Sequence, residues 1–188
     1  MKGEGTGGPK GRSGLPLFLR TSVARFAARS ERLLASRRVA LDPTLESLVR
    51  ERLSHSAFAS WMGITLVGIG DGTSELRLDL EPHHLNPGGI VHGGVLATLL
   101  DGCIGLALRT RLGLDSEHVT IDLNVHYLAP ARTGSLTGRG KAVRAGGRIS
   151  YGEAELFTED GTLVAKGTAT FLVIKRSWAA ERRIGGDA

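Results

Sequence analysis

Hydrophobic residues alternate with polar ones over several stretches of the chain, the spacing that predicts half-buried β-strands. Between Ser74 and Glu81, leucines at 76, 78 and 80 alternate with charged residues, so one face of this strand is buried and the other is solvated. Residues 118–128 alternate in the same way, with apolar side chains at the odd positions from 119 to 127. Asp71-Gly72 predicts a hairpin turn. The predicted strands are residues 64–69, 74–81, 118–128, 135–145, 148–158 and 163–174.

Two further segments have the period of a helix. Residues 92–112 are apolar around most of the helical circumference, which is typical of a buried helix, and Gly113 predicts its end. Another helix begins at Asp42-Pro43, because Asp is a good N-cap and Pro fits the first turn, and should end near residues 61–63. Residues 82–91 contain two prolines and two glycines and predict a loop. This order of elements indicates an α+β fold in which antiparallel strands wrap one long central helix.

The N-terminal part of the chain has a different pattern. Residues 1–14 are rich in glycine and predict a flexible tail. Residues 15–42 predict a basic helical extension, in which residues 15–38 place apolar side chains on one arc and arginines opposite. Three interpretations stay open: a helix packed on protein, a helix on a membrane surface, or an organellar targeting segment. The residues after Lys175, 176–188, predict a polar C-terminal tail.

The composition fits one domain, residues 43–175, with an appendage. The chain has 188 residues, 41% of them hydrophobic, and a net charge of +5. Residues 1–42 have nine basic and three acidic side chains, whereas the remaining 146 residues have 15 basic and 16 acidic ones. The basic charge therefore belongs to the extension, and no nucleic-acid partner is expected for the domain.

Cysteine and histidine usage argues against a metal site or a disulfide framework. Cys103 is the only cysteine, and it lies about 200° around the helix from Asp101, so it is interpreted as a packed thiol. The adjacent His83 and His84 make a poor ligand set without spaced carboxylates or cysteines. The sequence predicts no metal and no cofactor. A cytoplasmic localisation is expected, with targeting through the basic N-terminus left open.

The candidate chemistry lies at the start of the buried helix. The first turn of a helix presents backbone N–H groups without intrahelical partners, and Gly93 and Gly94 would let a substrate oxygen approach them closely. Such a site can stabilise the negative charge that develops in acyl transfer. Asp101 lies further along the same helix among apolar residues, where a carboxylate is costly to bury unless it has partners or a function.

Each of these residues also has a purely structural interpretation. Asp101 could be a carboxylate at a subunit interface that accepts bonds from backbone donors. His92 could cap the helix, and Asn86, which precedes Pro87, could form a turn. Gly93 and Gly94 could serve tight packing alone. The joint spacing of these residues favours the functional interpretation without excluding the structural ones.

The pattern of Asn86, His92-Gly93-Gly94 and Asp101 resembles the hotdog-fold acyl-CoA thioesterases. Within that family it is similar to the branch of the phenylacetate-pathway (PaaI-like) enzymes and thioesterase superfamily member 2. The segment 120–130, TIDLNVHYLAP, resembles the same branch, and the resemblance covers roughly residues 57–174. It implies a hotdog fold, hydrolysis of acyl-CoA to a free acid and coenzyme A, and sites formed between two subunits of a homodimer or homotetramer.

The resemblance also implies a role for each matching residue. Gly93 would donate its N–H to the thioester carbonyl with the help of Asn86, and Asp101 would act as general base or nucleophile. Thr120 would position the water, and His92 would shape the start of the helix. The substrate-binding candidates are Gly94 and, for the coenzyme A phosphates, the cations that flank the turn at residues 145–147, namely Arg139, Lys141, Arg144 and Arg148.

Two other functions stay open on the sequence. A hotdog domain can bind acyl-CoA without hydrolysing it and regulate transcription, although residues 15–38 show no helix-turn-helix pair. A hotdog hydratase or dehydratase would use the same fold with a different set of polar residues. The fold supports all three functions equally, so the site must discriminate between them.

Overall fold

The structure is a computed structural model that describes residues 41–113 and 116–175. The predicted tail 1–14, the amphipathic segment 15–38 and the C-terminal tail 176–188 lie outside the described residues. The helices are α1 (Pro43–Ser54), α2 (Ala57–Trp61) and α3 (Gly93–Leu112). The strands are β1 (Ile64–Gly70), β2 (Thr73–Asp79), β3 (Ser116–Tyr127), β4 (Ser135–Arg144), β5 (Ile149–Thr158) and β6 (Leu163–Lys175).

The six strands form one antiparallel sheet that wraps the long helix. The strand order is β1-β2-β4-β5-β6-β3, so β1 and β3 are the edge strands. Helix α3 contacts all six strands, and its buried face forms the centre of the core. The prediction of an α+β hotdog fold with one buried central helix is confirmed. Among the described helices, none is long and apolar enough to span a membrane.

Glycines let α3 lie unusually close to the sheet. A Cβ added at Gly138 would lie 2.5 Å from Cys103 Sγ, and one at Gly140 would collide with the backbone carbonyl of Cys103. A Cβ at Gly152 would lie 2.6 Å from Ile104 Cγ2. The thiol of Cys103 is therefore buried in this contact, which raises its pKa, as expected for a packed cysteine.

The helix predicted from residue 43 to about 61 is in fact two helices. Asp42 caps α1 as predicted, and its Oδ1 accepts hydrogen bonds from the N–H groups of Thr44 and Leu45. The chain then breaks at His55, and Ser56 Oγ accepts a bond from the Ala59 N–H to start α2. The single-helix prediction was wrong because the serine side chain competes for backbone N–H groups and favours a new helix start.

The uninterrupted alternation predicted for residues 118–128 was also wrong. A β-bulge shifts the register between Thr120 and Asp122. Before the bulge, the even-numbered Thr120 faces α3 and the odd-numbered Val119 is exposed; after it, the odd-numbered Leu123 and Val125 pack inward. One extra residue in a strand exchanges its two faces, and the spacing of apolar residues alone did not reveal it.

The predicted loop at residues 82–91 is irregular except for one short turn. A 3-10 helix spans Pro82–His84, and an isolated bridge joins Leu85 to Val91. His84 is buried; its Nδ1 accepts a hydrogen bond from the Glu81 N–H, and its Nε2 donates to the Met62 carbonyl. His84 is therefore a structural residue that fixes this loop beneath the start of α3.

Candidate active site

The carboxylate of Asp101 lies on the side of α3 that faces β3. Thr120 Oγ1 donates a hydrogen bond of 2.9 Å to Asp101 Oδ1. Burial raises the pKa of Asp101, and the bond from Thr120 lowers it in part. Thr120 reaches the carboxylate because it precedes the bulge in β3. The sequence-predicted pair of Asp101 and Thr120 is therefore brought together, with no backbone donor on the carboxylate among the described hydrogen bonds.

Asp101 and Thr120 open onto a cavity of about 470 Å³. Its walls come from four directions: the segment around α2, strands β1 and β2, helix α3, and strand β3. The lining residues are mostly apolar: Leu53, Ser56, Phe58, Ala59, Ile64, Leu76, Ala97, Thr98, Asp101, Gly102, Leu106, Thr120 and Leu123. A cavity of this size and lining suits a small apolar ligand with one polar end.

The start of α3 leaves one backbone donor available. His92 is the N-cap, and its Nδ1 accepts a hydrogen bond of 2.9 Å from the Gly94 N–H. The N–H groups of Val95 and Leu96 donate to the His92 carbonyl. The Gly93 N–H has no acceptor among the residues that the structure describes. His92 therefore caps the helix, and its ring occupies the N–H of Gly94. The backbone donor that a substrate oxygen could use is the N–H of Gly93.

Tyr127 holds residue Gly93 in place and was missed in the sequence. Its hydroxyl donates a hydrogen bond of 3.1 Å to the Gly93 carbonyl. A Cβ added at Gly93 would lie 3.3 Å from the tyrosine ring, so the ring covers the α-carbon. Tyr127 belongs to the 120–130 segment and is the last residue of β3. A tyrosine there has a hydroxyl that needs a hydrogen-bond partner, and this was the feature of the sequence that could have pointed to it.

Asn86 organises the loop before α3. Its Oδ1 accepts hydrogen bonds from the N–H groups of Gly88 at 2.9 Å and Ile90 at 3.4 Å. Arg132 Nη1 donates to the Gly89 carbonyl and ties the same loop to the end of the sheet. The turn-forming interpretation of Asn86 is therefore correct. Because its Oδ1 is engaged, the group that Asn86 can still offer a substrate carbonyl is the Nδ2 amide.

The expected oxyanion donor, Gly93, and the expected base or nucleophile, Asp101, are far apart along the helix. Gly93 and Asp101 lie eight residues apart on α3, which corresponds to about 12 Å at the helical rise per residue. A thioester carbonyl bound to the Gly93 N–H therefore lies beyond the reach of Asp101 of the same chain. The geometry is compatible with hydrolysis only if a second copy supplies one of the two groups.

The four cations expected to bind coenzyme A lie away from the cavity. Arg139 and Lys141 alternate with the glycines that face α3, so they occupy the opposite face of the sheet. Arg139 Nε lies 3.5 Å from Glu75 Oε2, and Lys141 Nζ lies 3.6 Å from Glu153 Oε1. Arg144 and Arg148 are exposed on either side of the 145–147 turn. None of the four lines the cavity of Asp101.

The described residues contain no cluster of three or more His, Cys, Asp or Glu side chains arranged to hold a metal ion. His83 Nδ1 instead lies 3.4 Å from Glu81 Oε2, and its ring lies against that of His84. The chemistry available at the cavity is that of one carboxylate and the hydroxyl that is hydrogen-bonded to it, and the backbone N–H of Gly93 lies about 12 Å away along α3.

Comparisons with known proteins identify the family of the chain. The model of the thioesterase superfamily matches residues 88–165. A Halobacterium salinarum protein whose name describes an esterase is 34% identical over 140 residues, which are 69% of this chain and 92% of the relative. The medium/long-chain acyl-CoA thioesterase YigI of Salmonella typhimurium is 31% identical over 137 residues, 63% of this chain and 86% of that protein.

A solved structure shows the same fold at lower sequence similarity. The PaaI protein of the Escherichia coli phenylacetic acid degradation operon is 19% identical and superposes with a TM-score of 0.66, covering 72% of this chain and 96% of that one. The sheet wrapped around one helix, together with the match to the thioesterase superfamily and the thioesterase relative, defines the class as hotdog-fold thioester hydrolases. The chain belongs to the thioesterase superfamily, and the resemblance read from the sequence is confirmed.

Proposed function

We propose that the chain is an acyl-CoA thioesterase whose working site forms between two copies. The observation that carries the proposal is the carboxylate of Asp101, which accepts a bond from Thr120 in the wall of an apolar cavity. Apolar lining suits the acyl group, and a carboxylate with a raised pKa suits a general base. The name of the YigI relative, a medium/long-chain acyl-CoA thioesterase, supports an aliphatic acyl group as substrate.

In the proposed reaction the thioester carbonyl accepts a hydrogen bond from the Gly93 N–H of one protomer. Asp101 of the other protomer removes a proton from a water molecule, whose oxygen forms a bond to the carbonyl carbon. The tetrahedral oxyanion is stabilised by the Gly93 N–H and, in part, by the Nδ2 amide of Asn86. The carbon–sulfur bond then breaks, the thiolate of coenzyme A takes up the proton from Asp101, and the acid is released.

The alternative route begins with a different nucleophile. Asp101 attacks the carbonyl carbon itself, the carbon–sulfur bond breaks, and coenzyme A leaves as the thiolate. Water then hydrolyses the mixed anhydride to the free acid and the carboxylate of Asp101, and its protons pass to the thiolate and to solvent. In both routes Thr120 orients the carboxylate, His92 keeps the Gly94 N–H occupied, and Tyr127 holds Gly93 through its carbonyl and its α-carbon. Water labelled with ¹⁸O distinguishes them in a single turnover, since only the nucleophilic route places label in the carboxylate of Asp101.

The second copy is proposed to pair along β3. This strand is an edge of the sheet, and its exposed outer face carries Val119 and Ile121. Unpaired edges of this kind favour association. A symmetric pair of β3 strands would join two sheets and bring the α3 helices of two chains near each other. The proposed assembly is therefore a homodimer or a homotetramer built from such dimers.

The remaining contacts of the substrate are also proposals. The exposed Arg144 and Arg148 are the better candidates for the coenzyme A phosphates, because Arg139 and Lys141 already face acidic partners. Contact of residues 15–38 with a membrane surface and a cytoplasmic localisation stay predictions from the sequence.

A thiol-release assay tests the proposal directly. Purified full-length protein is assayed against short, medium, long and aromatic acyl-CoA substrates, together with Asp101→Ala and Asp101→Asn. A matched control is Asp79→Ala, which removes an exposed carboxylate of β2 that neither lines the cavity nor lies on β3. The proposal expects turnover that both Asp101 variants lose and the control keeps, and a dimer or tetramer by light scattering. Full turnover in folded Asp101→Ala, or tight acyl-CoA binding without hydrolysis in the unmodified protein, would overturn it.

A further inference from the structure

Helix α2 exposes two large aromatic side chains next to each other. Phe58 is 57% exposed and Trp61 is 69% exposed, and their ring centroids lie 6.3 Å apart. The ring of His83 lies 6.2 Å from that of Trp61 on the far side. Together Phe58, Trp61 and His83 form an aromatic strip on the protein surface. Adjacent exposed aromatic rings cost free energy in water, and such patches mark surfaces that bind an apolar ligand or partner.

The strip is continuous with the cavity of Asp101. Phe58 lines that cavity at one end of the strip, whereas Trp61 and His83 lie outside it. Phe58 and Trp61 both belong to α2, the helix that starts after the break, with Ser56 as its N-cap. Ser56 and Ala59 belong to the same wall of the cavity. An apolar chain that fills the cavity and is longer than it can therefore leave past Phe58 and lie along Trp61.

We propose that the aromatic strip binds the distal methylene groups of long acyl chains and thereby sets the preference of the enzyme for chain length. The inference rests on the proposed function, since it assigns the far end of the same substrate. Each methylene group that gains an apolar contact in place of water is worth about fourfold in affinity. Short acyl groups end inside the cavity and gain nothing from the strip, whereas long ones gain the contact with Trp61.

The test compares two substrates in each protein variant. The ratio of kcat/KM for palmitoyl-CoA to that for butyryl-CoA, both kept below micellar concentrations, is measured for the unmodified protein, Trp61→Ala and Phe58→Ala. The matched control is Val67→Ala, which removes an apolar side chain of similar exposure, 51%, from strand β1. The expected ratio falls about tenfold in Trp61→Ala, by the loss of contact with one or two methylene groups, and keeps its value in Val67→Ala.

Two results would overturn the inference. An unchanged ratio in both Trp61→Ala and Phe58→Ala would show that the strip does not touch the acyl chain. Dissociation of the oligomer in Trp61→Ala, seen by light scattering, would show that a second copy covers the strip. Should the unmodified protein hydrolyse no thioester, the proposed function fails separately. In that case the affinity of a non-hydrolysable palmitoyl-CoA thioether is measured by calorimetry for the unmodified protein and for Trp61→Ala. Equal affinities would overturn the proposal that the aromatic strip binds the acyl chain.

Discussion

The hydroxyl of Thr120 donates a hydrogen bond to the carboxylate of Asp101 across 2.9 Å, joining the edge strand β3 to the middle of the buried helix. The donor stabilises the ionised form of a group whose burial favours the protonated form. The two effects oppose each other, and burial is the larger, so the pKa of Asp101 lies above that of an ordinary aspartate. Removing the hydroxyl of Thr120 should therefore change the pKa of Asp101, and this change can be measured.

The first prediction concerns the dependence of hydrolysis on pH. The base must be ionised, so kcat/KM should fall as the pH drops through the raised pKa of Asp101, with a midpoint above that of an ordinary aspartate. Thr120→Val removes the bond that lowers this pKa, so its midpoint should lie higher still, at reduced kcat. The pH–rate profiles of the two proteins provide the measurement. Thr65→Val, which alters a hydroxyl on β1 bonded to a backbone carbonyl, should leave the midpoint in place; identical midpoints in all three would contradict the assignment.

The second prediction sets stability against activity at Asp101. A carboxyl whose pKa is raised by folding destabilises the folded state above that pKa, and the penalty disappears as the pH falls below it. Asp101→Asn should therefore raise the free energy of unfolding at neutral pH by about 0.5–2 kcal/mol, the usual gain from a single stabilising substitution. Urea unfolding at neutral and acidic pH tests this. The difference between the two proteins should shrink in acid, and a variant less stable than the parent at neutral pH would refute the prediction.

The third prediction concerns the way in which Tyr127 positions residue Gly93. Tyr127→Phe removes the hydroxyl that donates to the Gly93 carbonyl but keeps the ring that covers the glycine. Removal of a direct oxyanion donor typically costs about 100-fold or more in kcat, and loss of a group that only positions the donor should cost less, roughly tenfold. The effect should appear in kcat with little change in KM. Tyr151→Phe, on the exposed part of β5, serves as the control, and a rise in KM alone would argue for a binding role.

The fourth prediction separates two glycines that differ in their surroundings. Gly140→Ala forces a methyl group into the backbone of Cys103 and should cost about 1–3 kcal/mol or more of stability. Gly102→Ala, on α3 itself, meets only the end of Leu76 at 3.4 Å and should stabilise the helix by up to about 1 kcal/mol. Thermal unfolding of both variants checks the pair, and equal melting temperatures would contradict the tight contact between helix and sheet.

Much of the fold follows from local patterns, because hydrophobic period and turn residues act over short distances. The buried helix, the strands and the caps at Asp42 and Gly113 were predicted within a few residues. The break at Ser56 was not, since one serine hydroxyl decides between continuing a helix and starting another. The bulge in β3 was not predicted either, because it depends on pairing with β6 rather than on the strand's own residues.

The candidate site shows the same division. Asp101 stood out because a carboxylate in an apolar helix is costly, and His92 because it precedes two glycines at a helix start. Tyr127 escaped notice, since its partner is a backbone carbonyl 34 residues away. The cations 139, 141, 144 and 148 were grouped by their nearness to one turn, yet the pleat places Arg139 and Lys141 on the face opposite the helix. Side-chain direction across a sheet depends on tertiary contacts that sequence spacing does not specify.

The close contact of α3 with the glycines of β4 and β5 also determines where the protein can deform. The helix backbone rests directly on the sheet, so α3 can neither slide nor roll without a steric clash. The opposite wall of the cavity is α2, which is joined to α1 through His55 and Ser56 alone. Hinge motion of that five-residue helix is therefore one way to widen the cavity for a bulkier acyl group while the carboxylate stays fixed in position.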